Sequence, residues 1–122
     1  MVTKSDIADK VDDRISGIPS AVTSATIQVW VEDAHIIIEN RTGDSFDTSD
    51  IPARFQAVIT DIAVSYLLDY MIKKRITIGE IGLNYQDLIN QKRFLDEKIE
   101  KQLVDLSRGS TTGAMTTTQP LD

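Results

Sequence analysis

Between Ile51 and Arg75 the chain carries a stretch that is apolar almost all the way round when wound as a helix, and this limits what the other residues can build. Asp50 before it is a cap candidate, and Pro52 suits the first helical position, where an N–H has no intrahelical partner anyway. Lys73, Lys74 and Arg75 close it with cations at the negative end of the helix dipole. The result is one helix of about 22 residues, roughly 33 Å long. At 100° per residue Phe55, Val58, Ile59, Ile62, Tyr66 and Tyr70 share one face, while Ala57, Val64, Leu67, Leu68 and Met71 cover much of the other. Only Asp61, Ser65 and Asp69 make a polar ribbon. A helix of this kind is covered on several sides, by this chain or by other copies of it.

The 122 residues suffice for one domain with a modest core, and 41% apolar with 26% charged residues is ordinary for a water-soluble protein. No run of uncharged apolar residues reaches the length of a membrane span, and the N-terminus lacks the apolar segment of a signal peptide, which predicts a cytoplasmic origin and no membrane partner. With no cysteine, disulfides, thiolate-bound zinc and thiol catalysis are excluded. The net charge of −6 belongs to residues 1–50, which hold ten acids against four bases, while residues 51–122 are balanced. Such a first half repels nucleic-acid phosphates and argues against sequence-specific DNA binding.

Taken in order, residues 3–16 read as a short helix capped by Thr3 or Ser5, with Ile7, Val11 and Ile15 inward and Gly17 and Pro19 as its end. A second helix runs from Ser24 to about Asn40, with Ile27, Trp30, Val31, Ala34, Ile37 and Ile38 on its core face. Val29 and Ile36 lie seven residues apart on the opposite side, as scattered exposed apolar residues or as a second contact line. Residues 41–50 form an acidic loop whose Asp44, Asp47 and Asp50 lack EF-hand spacing. After the long helix, the alternation of Ile76 to Tyr85 around Gly79-Glu80 predicts a short extended segment or hairpin. Gln86 to Ser107 form the last helix, with a stripe of Leu88, Leu95, Ile99, Leu103 and Leu106. Residues 108–122 are rich in Thr, Ser and Gly and read as a flexible tail.

The expected architecture is therefore all-α: a small bundle of about four helices around a long central one, with residues 1–107 as the domain. Catalytic machinery is missing from the pattern. His35 is the sole histidine; with Glu32 it gives a Glu-x-x-His pair, but the central helix has no Glu to complete a di-metal site, so His35 reads as a surface residue. There is no phosphate-binding glycine loop and no nucleophile elbow. The expectation is a protein without catalytic residues, metal or cofactor, which binds or assembles.

The order of short helix, amphipathic helix from Thr23 to Glu39, acidic loop and long apolar helix, then Ile81-Gly-Leu-Asn-Tyr85 and a last helix, resembles the head-tail connector proteins of tailed viruses. These are also called adaptor or head-completion proteins. The resemblance covers about residues 3–107. Its most suggestive piece is the segment Ile78 to Tyr85, where family members often carry Ser-Glu-x-Ile-Gly-Asp; this chain has Gly79 before Glu80 and Leu83 in place of that Asp. The resemblance implies a non-enzymatic virion protein, assembled in the host cytoplasm as a ring, usually twelve-fold, beneath the portal protein. That ring extends the DNA channel without holding DNA specifically and receives a tail-completion or stopper protein. On this reading Val29, Ile36, Val64, Leu68 and Met71 are subunit-interface candidates, and Asp61 and Asp69 are candidates for an acidic lumen. Arg108, Met115 and Leu121 are candidates for a tail that docks on the portal. Two alternatives stay open: another helical tail-completion or scaffold-like assembly protein, and a small regulatory or antitoxin-type helical protein.

Overall fold

The computed structural model describes residues 1–15, 18–78 and 83–110, and they form four helices: α1 Lys4–Arg14, α2 Ser24–Thr42, α3 Ala53–Ile78 and α4 Leu83–Ser110. Among the described residues there is no strand. The all-helical bundle around a long helix is thus the observed fold.

α1 begins at a capping box. The Thr3 hydroxyl accepts the Asp6 N–H, and the Asp6 carboxylate accepts the Thr3 N–H at 2.9 Å. Ile7, Ala8 and Val11 are its buried residues, and Ile15, the C-cap, is half-buried against the core. α2 is capped by Thr23, one residue before the expected Ser24. It ends at Gly43, whose φ of 77° places it in the left-handed region and lets its N–H reach the Glu39 carbonyl at 2.9 Å. α3 starts at Ala53, so Pro52 sits just before the helix instead of inside its first turn, and Asp50 lies further back in a turn closed on Asp47.

α3 is the axis. Phe55, Val58, Ile59, Ile62, Ala63, Val64, Leu67, Leu68 and Met71 are all buried within this one chain. By length and apolar content Ala53–Lys74 would pass for a membrane span, which the run of uncharged residues alone does not suggest. Its burial between α1, α2 and α4 accounts for that composition without a bilayer.

The expected hairpin is corrected. Ile76, Thr77 and Ile78 continue α3, and Leu83 to Tyr85 open α4, so the described part of each supposed arm is helical. Residues 79–82 between them lie outside the described residues. An existing helix extends at a cost of tenths of a kcal/mol per β-branched residue, roughly, whereas two isolated short strands gain little. α4 also begins three residues earlier and ends three later than Gln86–Ser107, so Arg108 belongs to a helix.

Candidate assembly surfaces

The residues singled out in the sequence fall in two places in this bundle: the outside of α2 and the seam between α3 and α4. On α2, Ile27, Val31, Ala34 and Ile38 are buried and fix the inward direction. Val29 and Ile36 fall about 180° away at 100° per residue. Their exposures of 58% and 54% match that placement. Glu32 and Asp33 flank the line on either side. A β-branched pair held out in water between two acids contributes nothing to the bundle's own core.

The other three interface candidates lie elsewhere. Val64, Leu68 and Met71 are 2%, 2% and 8% exposed, part of the core this chain builds for itself. Their apolar character is explained by intramolecular packing, so none of them forms an exposed patch of its own, although Val64 and Leu68 reach the floor of a surface groove. The reading that α3 needs cover on both sides holds, but the cover comes from within the chain.

Asp61 is likewise no lumen residue. Its carboxylate is buried between three helices, where Oδ1 accepts a hydrogen bond from Arg14 Nη1 of α1 at 2.7 Å. Oδ2 faces Lys98 Nζ of α4 at 3.2 Å, near enough for ionic attraction though not aligned as a hydrogen bond. One turn on, the buried Ser65 hydroxyl donates to Asp96 of α4, and Lys92 Nζ meets the same carboxylate at 2.6 Å. A further turn on, Asp69 pairs with Lys73 at 2.9 Å and stays 40% exposed. Asp61 and Ser65 are therefore part of the α3–α4 seam, matched by polar side chains of α4, whereas Asp69 is paired within α3. At the far end of α4, Glu100 takes both guanidinium nitrogens of Arg41 at 3.0 and 3.1 Å, which ties α4 to the last turn of α2 and holds the glutamate below its ordinary pKa.

The acidic loop is pinned, and His35 helps pin it. The Glu39 carboxylate accepts from the Phe46 N–H at 3.1 Å and the Ser45 hydroxyl at 3.0 Å, and it lies 3.0 Å from His35 Nε2. The Phe46 N–H is the main reason Glu39 is held below the usual carboxylate range. His35 Nε2 is hydrogen-bonded to the Phe46 carbonyl, and because a carbonyl oxygen can only accept, Nε2 is the donor there. The ring meets Phe46 edge-on at 4.5 Å, and Phe46 stacks on Phe55 at 4.8 Å. His35 is thus half-buried, not a surface residue, and Glu32 points to Lys4 at 3.8 Å. Among the described residues no group of three or more His, Asp or Glu side chains is placed to hold a metal.

Sequence reading missed Phe94. It is 74% exposed on the flank of α4, one residue before the buried Leu95 and so about 100° off the stripe. The signal was present: an aromatic among Gln91, Arg93 and Lys98 on an otherwise charged face. Arg108 is exposed at the end of α4, whereas Met115 and Leu121 lie outside the described residues.

Comparison of the chain with protein-family models, with curated proteins and with solved structures found no match.

Proposed function

We propose that this chain is a non-enzymatic structural subunit of a tailed-virus particle, forming a ring beneath the portal that joins head to tail and continues the DNA channel. The observation that carries the reading is the outward pair Val29 and Ile36 on α2, more than half exposed and diametrically opposed to that helix's core. A bundle whose central helix is already covered by its own chain has no internal use for them. The acidic balance of residues 1–50 supports a ring through which DNA slides without sticking. The connector-like order of helices, acidic loop and long apolar helix supplies the rest of the argument.

Two measurements test it. Gene order is the quicker: portal and major capsid genes just upstream with tail genes just downstream are expected, and a toxin gene or metabolic operon there would overturn the assignment. The second is electron microscopy of the protein with its portal. Wild type is expected to form rings, and the double variant Val29→Ser, Ile36→Gln to keep its helical content and lose them. Rings formed equally well by the variant would remove the α2 line from the interface.

A further inference from the structure

On the side of α3 away from α2 lies a groove of about 360 Å³. Ile15, Val64, Leu68 and Leu95 give it an apolar lining, and Phe94 stands at its mouth. Its direction follows from α3 itself. Tyr70 packs against Trp30 of α2 with ring centroids 6.4 Å apart, and Tyr66 lines a cleft with Ile37 of α2. At 100° per residue the pair Tyr66 and Tyr70 and the pair Val64 and Leu68 are about 160° apart. The outer face of α2 and the groove therefore look out from opposite sides of the molecule.

We infer that the groove is the acceptor for the Val29–Ile36 line of a second copy of this chain, so that copies join head to tail. The inference deepens the ring reading by naming the two surfaces that meet. Dimensions agree, since Val29 to Ile36 and the groove's α4 wall from Gln91 to Lys98 each span seven residues, about 10 Å. Charge agrees as well. Arg14 and Lys98 border the groove and share the single carboxylate of Asp61, which leaves one positive charge over, with side chains 40% and 59% exposed. The line that would enter is bracketed by Glu32, which is offset by Lys4 at 3.8 Å, and by the exposed Asp33, which brings the matching negative charge. An exposed aromatic at the mouth of an apolar groove is the residue type that anchors protein contacts. Two different surfaces on opposite sides make a heterologous contact, which closes into a ring when the rotation between copies permits and otherwise grows as a filament.

The test mixes two half-defective variants. Phe94→Ser spoils only the acceptor, and Val29→Ser with Ile36→Gln spoils only the donor; all three residues are exposed, and circular dichroism checks that the helices remain. Each variant alone is expected to lose self-association seen for wild type at high concentration, and the mixture to form a one-to-one dimer that cannot grow, read by analytical ultracentrifugation. In the natively cysteine-free chain, Ile36→Cys combined with Phe94→Cys is expected to give an oxidised ladder of oligomers that neither single cysteine gives. A Phe94→Ser protein that assembles like wild type, a mixture that stays monomeric, or dimers from Ile36→Cys alone would overturn the head-to-tail contact. So would a wild-type chain that stays monomeric and yields no ladder at millimolar concentration. None of these outcomes decides portal binding or gene order, so the connector assignment fails or stands separately.

Discussion

Asp61 shows how a residue can be conspicuous in sequence for one reason and present in the fold for another. A lone acid in an apolar helix suggests a charged face; here it is the point where α1, α3 and α4 meet, and its neighbours Arg14 and Lys98 lie 47 and 37 positions away in the chain. No local pattern encodes a pairing at that separation. Asp61→Asn should keep a hydrogen bond to Arg14 and lose the charge, costing about 1–2 kcal/mol in urea unfolding. Replacing Arg14 and Lys98 together by Met should cost more, about 3 kcal/mol, because an ionised carboxylate is then left buried without a partner. No loss from Asp61→Asn beside a loss from the double Met variant would show that the cations contribute packing alone. Glu39 permits a prediction about pH. Its folded pKa lies below the ordinary 4.5, so its contribution is present above the unfolded value and is lost as pH falls through the folded one. The Phe46 amide should accordingly lose protection, measured as its exchange rate relative to the intrinsic rate at each pH, as the solution is acidified, and Glu39→Gln should flatten that dependence.

At the level of elements, the legible parts are those with a local cause. α1, α2 and the Leu88–Leu103 stripe of α4 follow from spacing of apolar residues and from Thr and Gly at the ends, and their expected limits fall within a few residues of the observed ones. The junction after α3 is misleading because Ile76 and Ile78 suggest a strand by residue type, while continuation of a formed helix depends on what precedes them. Phe94 escapes notice because a charged helix face is ordinarily read as solvent. Gly43 is the sharpest local determinant. With φ at 77° and open space where a β-carbon would stand, Gly43→Ala meets no clash and bears only the strain of its backbone conformation. The expected loss is about 1 kcal/mol, read as a few degrees in thermal unfolding. No loss would mean that the α2 end relaxes into another cap.

For the whole molecule, the decisive property is that α3 is covered by its own chain, so the bundle should fold before it assembles. On the proposed ring reading, the surfaces open to other copies are then the α2 line and the groove across from it. Because Arg108 is the last part of a helix, the informative truncation begins at residue 111, not 108. If the proposed connector function is right, removing residues 111–122 should leave the unfolding temperature unchanged and weaken attachment to the portal, measured by co-sedimentation; undiminished attachment would take portal docking away from that segment.

Two backbone hydrogen bonds outside the helices bear on how such a subunit carries force. The Lys4 N–H reaches the Thr48 carbonyl at 2.9 Å, and the Ile51 N–H reaches the Val2 carbonyl at 2.7 Å, so the lead-in to α1 is stitched alongside the lead-in to α3. A pull on the first residues is shared by both bonds and passes directly to the axial helix. α1 is therefore expected to let go together with the acidic loop, seen as a single step when the chain is pulled from its N-terminus, and a separate earlier step for α1 would show that these two bonds carry no load.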